Sequence, residues 1–265
     1  MNPSNRPGRL LHLTLLAALA IGVVAAQAQS TPPSDMKLFL LIGQSNMAGR
    51  GVVEAQDKVP HPRVFMLNEQ LAWVPAIDPM HWDRPDRIGA GPGSTFGRVV
   101  AEANAGVMVG LIPAAVGSTS LDQWAVGGEL YTNAVARARE AMKHGKLAGI
   151  LWHQGESDNA PEKIASYPER FAKMIAQLRF DLNAGDVPVI VGEIGRFHVG
   201  SPAINPMLAK LPARVALCAC VSSEGLADKG DKVHFDTPAA REFGRRYAQA
   251  WYELSKAGRT AGTTK

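Results

Sequence analysis

The amino-acid sequence predicts an α/β domain in which a mostly parallel sheet carries helices on both faces. Near-continuous apolar runs of strand length recur along the chain, and such runs are typical of strands that are buried on both faces. Between these runs lie stretches whose apolar residues recur at three- and four-residue steps, as in helices that pack on a sheet. Strand and helix therefore alternate, which favours parallel pairing.

The individual elements follow from the same two patterns. The apolar runs predict strands over 37–42, 107–112, 147–152, 187–194 and 214–221. The helical spacing predicts helices over 94–104, 130–144, 168–182 and 238–254. Thr237 is the predicted N-cap of the last helix, with Pro238 at its first position. Residues 49–92 are rich in Pro, Gly and charged residues and are predicted to be a surface elaboration, where substrate contacts often lie.

Residues 1–28 are predicted to be an export signal. Arg6 and Arg9 precede an apolar run over 10–26, and Ala26-Gln27-Ala28 is a small-x-small cleavage site. An uncleaved membrane anchor is the alternative, but the run is short for a span. We therefore expect a linker over 29–36, one α/β domain over 37–255 and a polar tail over 256–265, located in the periplasm or outside the cell.

The charge and the cysteines exclude several classes of protein. The formal net charge is only +4 and includes the signal's two arginines, so no nucleic-acid partner is indicated. No stable membrane association is expected after cleavage. Cys218 and Cys220, the only cysteines, would point to the same face of a strand about 7 Å apart, too far for an unstrained disulfide. Two free thiols are therefore predicted.

Polar residues follow the predicted strands at the points where they end. These segments are residues 43–47, 113–120 and 153–158, with a further polar segment at 231–236. In open α/β sheets, ligands bind at the carboxyl ends of the strands. Ser45, directly after a buried strand and close to Gly43, can sit on a tight turn with its hydroxyl exposed. Asp231 and His234 are three residues apart, so the carboxylate can orient the imidazole that serves the serine.

Four motifs in this order resemble the sialate O-acetylesterase and acetylxylan esterase group, carbohydrate esterase family 6 of the SGNH hydrolase superfamily. The motifs are Gly43-Gln44-Ser45-Asn46-Met47, Gly117 with Trp124 behind it, Trp152-His153-Gln154-Gly155-Glu156-Ser157-Asp158, and Asp231-x-x-His234-Phe235. The resemblance spans residues 37 to about 250. It implies a three-layer α/β/α sandwich of flavodoxin-like type and hydrolysis of small acyl esters of carbohydrates, above all acetyl esters, without a cofactor.

The resemblance also implies roles for individual residues. Ser45 corresponds to the nucleophile, His234 to the general base and Asp231 to the acid that orients it. The oxyanion hole would consist of the backbone N–H groups of Ser45 and Gly117 and the side-chain amide of Gln154. The superfamily usually has asparagine in the third position, but a glutamine amide also donates without bringing a charge.

Several residues have more than one reading. Glu156 could support His234 instead of, or in addition to, Asp231, and Gln44 and Asn46 flank the serine as further supporting residues. His153, Glu156 and Asp158 could alternatively bind a metal. A metal-free mechanism is favoured, because no matching pairs of Cys or His occur elsewhere.

The loop tryptophans Trp73, Trp82 and Trp124 could stack on a sugar or simply pack, and Glu193 could shape the pocket. Two other functions remain open. A general lipase or esterase of the α/β-hydrolase type would need Gly-x-Ser-x-Gly, whereas this chain has Met47 in the last position. The second alternative is a catalytically inactive protein of the same fold that binds carbohydrate.

Overall fold

The computed structural model describes the backbone of residues 33–262 and the side chains of residues 33–256. The predicted export signal over 1–28 lies outside the described residues, as does the first half (29–32) of the predicted linker. Within the described part of the chain, no helix is long and apolar enough to cross a membrane.

Seven strands form one sheet in the order β3-β2-β4-β1-β5-β6-β7. They are β1 (Met36–Gly43), β2 (Val64–Leu67), β3 (Trp73–Pro75), β4 (Val109–Pro113), β5 (Gly145–His153), β6 (Val189–Gly192) and β7 (Cys218–Val221). All neighbours pair in parallel except the edge strand β3, which is antiparallel to β2. The mostly parallel sheet is thus confirmed, with β1 at its centre.

The helices cover both faces of this sheet. They are α1 (Ser45–Ala48), α2 (Pro92–Ala103), α3 (Glu129–Ala141), α4 (Pro161–Asp181), α5 (Ser201–Leu208) and α6 (Thr237–Gly262). Leu38, Leu40 and Ile42 of β1 belong to the apolar cluster that also contains buried residues of α3, α4 and α5. Phe39 and Leu41 belong to the other cluster, which contains residues of α2 and α6. Because side chains alternate along a strand, β1 packs on both layers, and the three-layer sandwich is confirmed.

The starts of α4 and α6 differ from the prediction in the residue that opens or caps the helix. Helix α4 already begins at Pro161, so Pro168 lies inside the helix instead of opening it. Proline fits the first helical position because it lacks an N–H that would have no partner there, which is why either proline could have served. Asp236, not Thr237, caps α6, because its Oδ1 accepts the Ala239 N–H at 2.8 Å. The Thr237 hydroxyl instead donates to the Val52 carbonyl oxygen.

The last two strands are shorter than the apolar runs that predict them. Leu217 has a φ of 51°, so the chain turns there and β7 starts only at Cys218. Both cysteines of β7 are free thiols, as predicted. The backbone of α6 continues to Gly262, into the segment predicted as a polar tail.

Candidate active site

The turn after β1 places Ser45 at the carboxyl edge of the sheet. Gly43 has a φ of 122°, and a Cβ there would lie 2.1 Å from the His153 carbonyl oxygen on β5, so only glycine fits. The next N–H, of Gln44, donates to the same carbonyl at 2.8 Å. The chain is thereby fixed against β5, and Ser45 becomes the first residue of α1.

His234 and Asp231 lie on the loop between β7 and α6 and meet Ser45 in space. The Nε2 of His234 is 3.0 Å from the Ser45 Oγ, and its Nδ1 is 2.7 Å from the Asp231 Oδ2. The other oxygen of Asp231 accepts the backbone N–H groups of Val233 and His234 at 2.9 and 2.8 Å. The structure therefore brings the three predicted residues into one hydrogen-bonded chain, with Asp231, not Glu156, against the imidazole.

The charge states of this chain suit proton transfer. Burial lowers the pKa of His234 from its ordinary value, although Asp231 opposes this effect. Burial raises the pKa of Asp231, but the hydrogen bonds from His234 and Val233 outweigh it and lower that pKa to about 2. At neutral pH the imidazole is therefore neutral and able to accept a proton, while the carboxylate beside it is ionised.

Asn46 joins the serine turn to the histidine loop. Its Nδ2 donates to the Glu156 Oε1 at 2.6 Å and to the Val233 carbonyl at 3.0 Å, and its Oδ1 accepts the Phe235 N–H at 3.2 Å. One buried amide thus binds the residues on both sides of His234. Glu156 accepts a hydrogen bond from that amide and orients it, so Asn46 and Glu156 together help to position His234.

Glu156 makes the stability of the protein depend on pH. Burial raises the pKa of this carboxyl to about 7 from an ordinary value of 4.5. The folded protein thus favours the protonated form, and Glu156 contributes stability below the ordinary pKa that is lost as pH rises towards 7. Since glutamine does not titrate, we expect Glu156→Gln to gain in free energy of unfolding relative to the parental protein as pH rises, by on the order of 2 kcal/mol.

Urea unfolding at acidic and at mildly alkaline pH measures this gain. The exposed carboxylate Glu69 provides the matched control, and Glu69→Gln should show no comparable change between the two pH values. An offset between Glu156→Gln and the parental protein that is the same at both pH values would contradict the assignment.

The side-chain amide of Gln154, which the resemblance assigns to the oxyanion hole, has protein oxygens as its partners in this arrangement. The side chain is fully buried. Its Nε2 lies 2.6 Å from the Asp158 Oδ2, 3.1 Å from the Thr119 carbonyl and 3.2 Å from the Gln44 Oε1. An amide nitrogen has two hydrogens, so these acceptors already use both.

The second predicted oxyanion donor, the Gly117 N–H, also has another partner. It donates to the Asp83 Oδ2 at 2.7 Å, and the same oxygen accepts Arg50 Nη2 at 2.6 Å. A substrate oxygen would therefore compete with Asp83 for the Gly117 N–H. Sequence reasoning missed Arg50 and Asp83, since both lie among the many charged residues of 49–92. The only available signal was the closeness of Arg50 to the serine motif.

A cavity of about 560 Å³ opens over Ser45 and His234. Part of the region 49–92, which was predicted to be a surface elaboration, lines this cavity. The basic residues of its wall are Arg50, Arg84, Arg87 and Lys229. A cavity of this volume accommodates a sugar residue, and its wall is positively charged on balance.

The side chains considered as metal ligands have protein partners of their own, although His153 Nε2 lies 3.8 Å from Glu156 Oε1. The Nδ1 of His153 is 3.1 Å from the Tyr247 hydroxyl, and burial lowers the pKa of this histidine to about 3. Asp158 accepts Gln154 and the Leu121 N–H, whereas Glu156 accepts Asn46. Among residues 33–256, no group of three or more His, Cys, Asp or Glu side chains could hold a metal ion.

The tryptophans and Glu193 have mainly structural surroundings. Trp124 is 1% exposed and packs edge-on against Trp152, which fits the packing interpretation of this residue. Trp82 lies against the guanidinium of Arg137, 4.4 Å from its carbon to the ring centre. Glu193 accepts the Ser223 N–H at 3.0 Å and thereby joins the loops after β6 and β7.

A mostly parallel sheet between two layers of helices, whose central strand leads into this serine turn, is the three-layer α/β/α fold expected of SGNH hydrolases. The chain belongs to the family described as carbohydrate esterase, sialic acid-specific acetylesterase, whose sequence profile matches residues 35–253. The resemblance that the four motifs indicated is thereby confirmed. Members of this family are carboxylic ester hydrolases.

Similar proteins agree with this assignment. A "probable carbohydrate esterase" of Arabidopsis thaliana is 34% identical over 241 residues, covering 83% of this chain and 91% of that protein. A crystal structure of an Arabidopsis thaliana protein superposes with a TM-score of 0.77 at 30% identity, covering 84% of this chain and 99% of the other. A carbohydrate acetylesterase from Xanthomonas citri shares the fold, with a TM-score of 0.64 at 17% identity over 83% of this chain and 57% of the other.

Proposed function

We propose that this protein is an exported serine esterase that hydrolyses acetyl esters of carbohydrates. The observation that carries the proposal is the hydrogen-bonded chain from the Ser45 hydroxyl through the His234 imidazole to Asp231, with distances of 3.0 and 2.7 Å. These three side chains line the cavity at the carboxyl edge of the sheet. The predicted signal over 1–28 supports a location in the periplasm or outside the cell.

Acylation follows from the geometry. The Ser45 oxygen attacks the ester carbonyl carbon while His234 Nε2 takes the hydroxyl proton. The carbonyl oxygen becomes an oxyanion, and the Ser45 N–H at the start of α1 is available to it, since the first N–H groups of a helix have no intrahelical partner. The imidazolium then gives its proton to the departing sugar oxygen as the ester bond breaks, which leaves an acetyl group on Ser45.

Deacylation repeats the same proton transfers with water. His234 removes a proton from a water molecule that attacks the acetyl carbonyl, and it returns the proton to Ser45 as acetate leaves. Asp231 stays ionised throughout, because its low pKa keeps it a carboxylate beside the imidazolium. The cycle needs no cofactor.

The cavity supports an acetylated carbohydrate rather than a lipid ester as the substrate. Charged side chains, among them Arg84, Asp86, Arg87 and Lys229, form much of its wall, whereas a lipase needs an apolar channel. The family description names sialic acid, an acidic sugar. The excess of basic side chains favours an acetylated sugar that carries a carboxylate.

A panel of acetylated substrates tests the proposal. It comprises O-acetylated sialic acid, acetylated xylan and a long-chain ester, each scored by released acid with the parental protein and with Ser45→Ala. We expect acetate release from the sugars, fastest from sialic acid, at least about a hundredfold above the variant. Binding of acetylated sugar without acetate release would instead support the inactive carbohydrate-binding alternative. Preference for the long-chain ester would support a lipase.

A further inference from the structure

We propose that Lys229 is a positioning residue of the esterase: its ammonium group joins the histidine loop to the serine turn, and its charge keeps His234 in the neutral form. This inference rests on the proposed function, since Lys229 would act through the hydrogen-bonded chain of Ser45, His234 and Asp231. Lys229 lines the same cavity as these three residues. It lies outside the four sequence motifs, so its contacts alone identify its role.

The backbone of Lys229 is bonded directly to the general base. Its N–H donates to the carbonyl oxygen of His234 at 3.0 Å. The neighbouring pair, Asp228 and Phe235, forms an antiparallel bridge. Residues 228–235 are thus paired across the loop, and Lys229 lies opposite His234. The side chain of Lys229 therefore starts from a fixed position beside the histidine.

The ammonium group of Lys229 lies between the serine turn and the acid of the hydrogen-bonded chain. Its Nζ donates to the backbone carbonyl oxygen of Arg50, shortly after α1, at 3.2 Å. The same Nζ is 3.8 Å from the Asp231 Oδ2, the oxygen that lies 2.7 Å from His234 Nδ1. One side chain thus joins the segment after α1 to the loop that holds the acid and the base.

The charge of Lys229 opposes the effect of Asp231 on the imidazole. A carboxylate at hydrogen-bond distance favours the imidazolium, and a base that is already protonated cannot accept the serine proton. A cation beside the same carboxylate disfavours the imidazolium. Burial is the largest cause that lowers the pKa of His234, Asp231 opposes it, and the charge of Lys229 lowers that pKa further. Lys229 therefore extends the pH range of the neutral base towards acidic pH.

The other charged groups near His234 do not depend on Lys229. Arg50 adds charge of the same sign but is held in a buried ion pair. Glu156, whose pKa burial raises to about 7, is joined to the histidine loop through Asn46. The region 49–92 contributes further charged side chains to the cavity wall: Arg84, Asp86 and Arg87. These groups are present in a Lys229 variant as in the parental protein, so a difference between their pH profiles reports the role of Lys229.

The pH profile of kcat/KM for 4-nitrophenyl acetate tests the proposal, because this neutral ester offers no charge for Lys229 to bind. We expect Lys229→Met to move the acidic limb to higher pH, so that its activity relative to the parental protein is at least about threefold lower near pH 5 than near pH 8. Lys229→Arg keeps the charge and should keep the parental limb. Lys232→Met, at an exposed lysine of the same loop, is the matched control and should follow the parental profile.

NMR titration of the His234 imidazole tests the same inference without turnover. The midpoint should lie at higher pH in Lys229→Met than in the parental protein, and Lys232→Met should leave it unchanged. The side chain of Lys229 is 35% exposed, and an ion pair at such a position adds little stability, so these variants should fold like the parental protein. Thermal unfolding of each variant checks this.

Three results would overturn the assignment: a parental pH profile in Lys229→Met, a loss of kcat/KM that is the same at every pH, or a shift in Lys229→Arg as large as that in Lys229→Met. A higher KM for an acidic acetylated sugar with a parental profile for the neutral ester would also overturn it, and would make Lys229 a residue that binds the substrate's carboxylate. Ser45→Ala in the same assay separates this inference from the proposed function. If Ser45→Ala is inactive while Lys229→Met keeps the parental profile and midpoint, only the role of Lys229 fails.

Discussion

Asp231→Asn is expected to lower kcat for an acetyl ester by about 10³-fold to 10⁴-fold without unfolding the protein. The carboxylate now accepts a hydrogen bond from His234 Nδ1 at 2.7 Å and keeps the proton on that nitrogen, which leaves Nε2 free to accept the proton of Ser45. Asparagine can present its amide N–H to Nδ1 instead, which favours the wrong tautomer. It also removes the charge that stabilises the imidazolium. Steady-state hydrolysis of 4-nitrophenyl acetate at neutral pH measures the loss.

Glu156→Gln is the matched control for that substitution, because it also converts a carboxylate near His234 into an amide. Its side-chain oxygen can still accept the hydrogen bond from Asn46, so most of the activity should remain. Near-full activity in Asp231→Asn together with a large loss in Glu156→Gln would reverse the assignment of the acid. Glu156 would then be the acid that orients the general base His234.

The fold could be predicted because its main signals are local. The run over 37–42 is apolar at every position except Lys37, and the structure explains this pattern: Phe39 and Leu41 pack on one layer of helices, Leu38 and Leu40 on the other. The ends of elements were harder to predict. Pro161 and Pro168 carry the same signal for a helix start, and only packing decides between them.

In the candidate site as well, contacts between residues close in the sequence could be predicted, whereas contacts between distant residues could not. Asp231 and His234 are three residues apart, so their contact is a property of one turn and could be predicted from spacing. The contacts of Gln154 depend on where Asp158 and Thr119 direct its amide, and no sequence pattern describes that. The pair of Arg50 and Asp83 spans 33 residues of a region without periodicity, and burial alone distinguishes its charges from solvated ones.

Ser45→Ala has the largest expected effect of any single substitution, a loss of about 10⁵-fold to 10⁶-fold in kcat. Among the side chains of residues 33–256, the Ser45 Oγ, at 3.0 Å, is the hydroxyl that forms a hydrogen bond with His234 Nε2. Without the nucleophile, only the remaining oxyanion donors and substrate binding can accelerate attack by water. Alanine at this position preserves the backbone of α1, so circular dichroism and thermal unfolding should match those of the parental protein.

The central claim is that Ser45 attacks an acetyl ester, and acetate release by matched preparations of the parental protein and Ser45→Ala tests it most directly. With 4-nitrophenyl acetate as the substrate, we expect turnover by the parental protein and release about 10⁵-fold to 10⁶-fold slower by the folded variant. Acetate release by Ser45→Ala at the parental rate would mean that another group attacks the ester, and it would contradict the assignment of Ser45 as the nucleophile.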